Sequence, residues 1–435
     1  MLGHEKDAVS ICDANLPTAT YALVLAVIFA TITIAVPVVT AQTYTVIHNF
    51  TDQGDGGIPE AGLSLDRAGN LYGTTASGGT YDSGTVFKVS HSGSGWLTTP
   101  LFSFIPRDGY APSARVIFGP DGSLYGTTQA GGQGGSCGAG DGCGTVFRLT
   151  PSPTACKSAL CSWNETVLYR FRGGADGGVP ASEVIFDQAG NLYGTTTVGG
   201  YTTLGCSAGC GVVYKLSPSN GGWSESVLYA FMGGADGYFP FSGLIFDPTG
   251  DLYGTTESGG SSNTGTVFEL TPSGSGWTKN TIYSFEDNPG GIFPFGGPVF
   301  DSSGNLYGTT LEGGNSNCYE GCGTIFSLSP SNSGWVHTLL HEFSGAGDAF
   351  PRGSLIMDSA GNLYGTTSGE LQTGNVFELA PSSGGWTYTS LHNFTGGSDG
   401  DNPWGQVTLD AHGNLYGTAS GGGSYYFGAV WEITP

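Results

Sequence analysis

The chain has 435 residues, of which 78 are Gly and 22 are Pro, against about 12 % for the two together in average usage. It carries 12 Lys and Arg against 35 Asp and Glu, a formal charge of −23, which excludes nucleic acid and anionic membrane as partners because either needs a basic face. So much Gly disfavours long helices; the lack of a Gly-X-Y period excludes collagen, and 12 % aromatic residues exclude a disordered chain.

The chain opens on a polar stretch, residues 1–20, followed by the apolar run YALVLAVIFATITIAV from Tyr21 to Val36. PVVTAQ comes next, with Val39 and Ala41 placed as a small-residue cleavage site before Gln42. Residues 1–41 therefore read as a secretory signal peptide. Lys6 is the only basic side chain ahead of the run. The run is also near spanning length, so a retained N-terminal anchor is the alternative. Cys12 lies in this segment, and the other eight cysteines form four close pairs: Cys137 with Cys143, Cys156 with Cys161, Cys206 with Cys210 and Cys318 with Cys322. Tight even pairing predicts local disulfides in an oxidising compartment. No His stands near the pairs to complete a zinc site.

Residues 42–435 are repetitive. LYGT recurs seven times, beginning at Leu71, Leu124, Leu192, Leu252, Leu306, Leu363 and Leu415, at spacings of 53, 68, 60, 54, 57 and 52. A period of this size marks a propeller, solenoid or array. The fourth repeat shows the parts in order. SGLIFD (Ser242–Asp247) is a first strand, followed by the turn residues Asp-Pro-Thr-Gly-Asp. LYGTT (Leu252–Thr256) is a second, TVFELTP (Thr266–Pro272) a third and WTKNTIYSF (Trp277–Phe285) a fourth. Apolar residues fall on both faces of these strands, as expected of a sheet held between two neighbours. The Gly of LYGT is expected where sheets pack closely. The seventh repeat ends on a third strand, GAVWEITP (Gly428–Pro435), whereas YTVIHNF (Tyr44–Phe50) matches a fourth strand at the other end. The prediction is an all-β, seven-bladed β-propeller of four-stranded antiparallel blades, closed by the N-terminal strand completing the last blade.

With LYGTT, GTVF-x-L-x-P, a Trp-led fourth strand and GG-x-DG-x-x-P in place, residues 44–435 resemble the GloVer tandem-repeat family, exported bacterial proteins grouped as choice-of-anchor surface proteins. The Asp-x-x-Gly-Asn-Leu-Tyr turn is also similar, over a short stretch, to that of NHL and gluconolactonase-type propellers. The resemblance implies export and surface display and no established reaction. The last blade is expected to end at Pro435, so attachment to a surface would rest on the N-terminal run.

The repeat is its own control for chemistry: a residue that departs from its equivalents is a better site candidate than one that recurs. His48, His341 and His392 replace the fourth-strand Tyr169, Tyr229 and Tyr283 and are expected as packed strand residues, with His91, His337 and His412 in turns or loops. Asp66, Asp187, Asp247, Asp301, Asp358 and Asp410 are expected to cap the turn into LYGT. The Asp-Gly-x-x-Pro motif supplies Asp55, Asp108, Asp176, Asp236 and Asp399; these are turn residues, with weak Ca²⁺ ligation as the alternative and no other cofactor expected.

Variation concentrates one and three residues after the recurrent Pro. There the chain places Glu60, Phe241, Phe295, Arg352 and Trp404, and Arg115, Glu183 and Gln406. In a propeller this segment lies at a mouth of the central channel, on the face that also carries three of the Cys pairs. Aromatic faces beside hydrogen-bonding side chains suit sugar rings. The expectation is a monomeric, exported, non-catalytic scaffold that binds extracellular polysaccharide or a surface protein at this mouth. Two alternatives stand beside it: a glycoside hydrolase or lyase, which needs two carboxylates flanking the bond, and a purely structural coat protein.

Overall fold

The computed structural model describes residues 42–435 apart from 94, 136, 138–141, 152–162, 275, 287–288, 346 and 370–372. The predicted leader lies outside the described residues. Gln42–Pro435 is one compact unit. It is a seven-bladed β-propeller of four-stranded antiparallel sheets, each running in chain order from the axis outwards. The exception is the last blade, whose outermost strand is Thr43–Asn49, paired antiparallel with Ala429–Thr434 from Thr43 opposite Thr434 to Asn49 opposite Ala429. The first and last strands of the described residues thus close the ring. The only helical element among the described residues is a 3₁₀ turn at Gly234–Asp236.

Blade 4 shows why these residues form these strands. Phe268, Leu270 and Leu252 pack toward blade 3 with Tyr193, Phe231 and Leu244. Val267 and Tyr253 pack toward blade 5 with Phe285, Leu306 and Phe326. Alternate residues of one strand therefore enter two different cores, which accounts for apolar residues on both faces. The fourth-strand Trp is part of the seam: Trp277 meets Tyr193 of the preceding blade edge-on at 6.3 Å, and Trp335 meets Tyr253 in the same way at 6.2 Å.

The glycine of LYGT is required within its own sheet, not between sheets as expected. Gly254 stands directly opposite Phe268, and a Cβ there would sit 2.7 Å from that ring and 3.0 Å from Leu244. The first strand is also shorter than expected. Ordered pairing is confined to two residues, Ile245–Phe246 in blade 4, because the residues before them turn away to line the axis.

The crossing from one blade to the next rests on a repeated, strained residue. The residue before the recurrent Pro has φ between 49° and 60° in all seven repeats, at Ile58, Ala111, Val179, Phe239, Phe293, Phe350 and Asn402. A non-Gly residue in this region costs about 1–3 kcal/mol and persists where its surroundings hold it. Two backbone hydrogen bonds do so: Phe239 N donates to Cys210 O of the preceding blade, and Phe239 O accepts from Glu257 N of its own. The following Pro240 then lies against Gly211, where a Cβ would come within 2.6 Å of the proline ring. The Gly that opens each third strand and the Pro of the next repeat are therefore partners across the seam.

The turns into LYGT are closed by their Asp, as expected. Asp187 accepts from the backbone N–H of Ala189 and Asn191 through one oxygen and from Asn191 Nδ2 and Tyr193 OH through the other. Burial works against the charge, but these hydrogen bonds outweigh it and hold the carboxyl below its usual range. Three of the four expected disulfides are formed. They join Cys137 to Cys143, Cys206 to Cys210 and Cys318 to Cys322, all in connections between second and third strands. The fourth expected bridge, between Cys156 and Cys161, falls in the segment 152–162 and lies outside the described residues.

Candidate functional site

Three consecutive residues after each recurrent Pro converge on the axis. Together with Gln129 they line a cavity of about 330 Å³. All seven blades contribute, and all eight site residues expected from the sequence line it: Glu60, Arg115, Glu183, Phe241, Phe295, Arg352, Trp404 and Gln406.

The middle residue of each triplet is small because the backbones touch. A Cβ on Gly353 would lie 2.9 Å from Trp404 O, and one on Gly405 would lie 2.6 Å from the backbone of Ala61. The first Thr of LYGTT anchors the triplet of the next blade. Thr195 Oγ1 donates to Ser242 O at 3.1 Å, Thr366 Oγ1 to Gly405 O at 3.2 Å, and Thr418 Oγ1 to Ala61 O across the closure at 2.8 Å. Blade 5 breaks the series: Thr309 Oγ1 is buried without a partner. These small, bonded middle residues fix the backbone, so the flanking positions are free to vary.

Two kinds of wall result. Between blades 4 and 5, Phe241 and Phe295 stack with centroids 4.9 Å apart and planes 18° from parallel. Arg352 follows, its guanidinium 5.6 Å from the Phe295 ring and 4.9 Å from that of Trp404. A desolvated cation over an aromatic face contributes about 2 kcal/mol. Away from this aromatic arc, Arg115 pairs with Glu183 at 3.6 Å; within it, beside Trp404, Gln406 Nε2 donates to Leu355 O at 3.1 Å.

Burial shapes the charges. It pushes the Glu60 carboxyl above its usual range, against a hydrogen bond to Ser113 and the field of Arg352. It draws the Arg352 guanidinium down, against the attraction of Glu257, Glu312 and Glu60. Glu257 is also raised by burial. Arg115 Nε, Arg352 Nε and Trp404 Nε1 are buried donors without a partner.

Glu257 and Glu312, which bear on Arg352, stand outside the variable positions after the Pro and were not expected from them. They follow LYGTT by one and two residues. At the first of these positions Ala76, Gln129, Thr197, Leu311, Ser368 and Ser420 stand elsewhere, so the same internal comparison carries a signal for Glu257.

The remaining candidates are engaged in the scaffold. Asp176 accepts from Arg172 N and Tyr169 OH, and Asp399 from Thr395 N and His392 Nε2. Tyr169 and His392 lie on the fourth strand of the preceding blade, so these Asp close their loops onto it; Asp108 instead pairs with Arg170, on the fourth strand of its own blade. Asp348 closes its loop on Ser344 and Gly345, which follow the strand Gly334–Glu342. Among the described residues no three His, Cys, Asp or Glu side chains are grouped closely enough to hold a metal ion. His337 is not in a turn. It lies in the outer strand Gly334–Glu342 and stacks on Tyr283 at 4.6 Å. His91 also lies in a strand, Thr85–Ser92.

The fold and this cavity define a seven-bladed propeller whose axial chamber is built from its least repetitive residues. The chain belongs to the Gloeobacter/Verrucomicrobia repeat family, which it matches over residues 33–205, 138–370 and 280–435. No curated protein matches it. Among solved structures it is similar to a candidate 6-phosphogluconolactonase from Bacteroides uniformis, with 14 % identity and a TM-score of 0.51 over 80 % of this chain and 88 % of that one. A second, from Bacteroides fragilis, has 16 % identity and a TM-score of 0.51 over 80 % and 87 %. At such identity the likeness is one of fold alone.

Proposed function

We propose that this protein is an exported binding module whose axial cavity holds a neutral extracellular glycan. One observation carries the reading: the residues that break the repeat meet in one chamber, whose walls combine stacked aromatic rings with donors left without partners. Phe241 and Trp404, the two ends of the stack that runs through Phe295 and Arg352, offer ring faces to the C–H side of a sugar. Arg115, Arg352 and Trp404 offer N–H groups, and Glu60 and Glu183 offer oxygens, to its hydroxyls. The chain's charge of −23 disfavours an acidic polymer. Three local disulfides and the repeat family support a place outside the reducing cytoplasm.

A calorimetric and thermal-shift screen against neutral oligosaccharides tests this. A ligand at a hundredfold excess over its Kd stabilises the native state by about 2.7 kcal/mol. That shift is expected to disappear in Trp404→Ala and Phe241→Ala. An unchanged shift in both variants would sink the reading. Product release by the wild type would instead favour a hydrolase or lactonase, the class named for the two Bacteroides neighbours.

A further inference from the structure

A second cavity adjoins the axial one. Its volume is about 280 Å³, and among the described residues it is lined by blades 5, 6 and 7. Blade 5 contributes Leu311 and Glu312, and blade 6 contributes Phe350 and Ser368. Arg352 and Trp404 line both cavities, so the stacked guanidinium and indole form the wall between them.

The polar atoms at this wall are of both kinds and unsatisfied. Arg352 Nε and Trp404 Nε1 are buried donors without a partner, and Glu312 Oε2 is a buried acceptor without one. Buried polar groups ordinarily find partners. A carboxylate or phosphate would answer the two donors and leave Glu312 Oε2, on a carboxyl that burial and neighbouring Glu320 push up to about 7, without a donor. An ammonium would answer Glu312 and be repelled by Arg352. A hydroxyl answers both, because it accepts from an N–H and donates to a carboxylate oxygen.

Building on the glycan reading above, we propose that the lateral cavity is a second saccharide subsite. The ligand is then a neutral glycan of at least two units, whose chain passes the Trp404–Arg352 wall and leaves the axis over blade 6.

Titration calorimetry with cello-, malto- and laminari-oligosaccharides of one to six units tests this on the wild type, Glu312→Ala and Leu311→Trp. The first variant removes the acceptor and the second fills the cavity; melting curves check that each is folded. The wild type is expected to bind two units at least tenfold more tightly than one, about the weight of one hydrogen bond to a charged group. Both variants are expected to lose that gain, and Leu311→Trp, whose position lines only the lateral cavity, to keep the affinity for one unit. Equal affinity for one unit and for longer chains overturns the second subsite, as does a gain that survives in Glu312→Ala. Failure of every ladder to bind the wild type is a different result: it removes the glycan reading and the subsite with it.

Discussion

Replacing the LYGT glycine of blade 4 tests the account of how each sheet is built. In Gly254→Ala the new Cβ would lie 2.7 Å from the tip of Phe268, 3.0 Å from Leu244 and 3.1 Å from a second atom of the Phe268 ring. Phe268 is wholly buried against Phe231, so the ring has nowhere to swing. Overpacking of this kind costs about 1–3 kcal/mol. Phe268→Leu alone should also destabilise, because it leaves a cavity. Combined, the changes should cost less than their sum by at least about 1 kcal/mol, since the shorter side chain vacates the space the methyl needs. Gly276→Ala is the control: no atom lies within 4 Å of its Cβ, and it should be neutral or slightly stabilising. Denaturant midpoints of the wild type, the three single variants and the double variant decide the matter. Additivity of Gly254→Ala and Phe268→Leu would refute the steric argument and assign the glycine to backbone conformation.

Other expectations follow from single side chains. Thr309→Val should be neutral or stabilising, because its hydroxyl is buried without a partner; Thr195→Val should cost about 1 kcal/mol, since it breaks the bond to Ser242 O. A matching loss in both variants, read from their melting curves, would contradict this. Burial, with Asp176 nearby, pushes the Glu225 carboxyl up to about 7. The stability linked to holding that proton is complete below the unfolded carboxylate range and is lost as pH rises through about 7. Glu225→Gln should therefore flatten the melting profile between pH 5 and 8 and exceed the wild type at the upper end. Because the group is half exposed, the gain is only about 1–2 kcal/mol; parallel profiles would remove the argument. Asp187→Ala should cost about 1–3 kcal/mol at neutral pH through two backbone donors left open. Its carboxyl is held low, so that contribution is present above the usual carboxylate range and fades as pH falls through the folded value. A penalty that persists undiminished in acid would count against the capping role.

The blades were legible because their causes are local. The turn Asp and its Asn and Tyr partners lie within six residues of one another, and alternation along TVFEL is read from five residues. Ring closure was legible because the chain's two incomplete ends were complementary. The site was half legible: internal comparison picked out the eight variable residues, since a repeated scaffold leaves departures in view. Their partners were not, because Arg352 meets Phe295 and Trp404 from other blades and draws on Glu257 and Glu312 across further seams.

By itself, then, the sequence determined the blade, its sevenfold repetition and which positions vary, because each follows from short-range periodicity and turn chemistry. The tertiary structure alone decided that Pro240 presses on Gly211 and that Gly254 lies under Phe268. It also decided that one wall of Arg352 and Trp404 separates two cavities. These depend on contacts between residues tens of positions apart or on facing strands, which closing the ring brings within van der Waals distance.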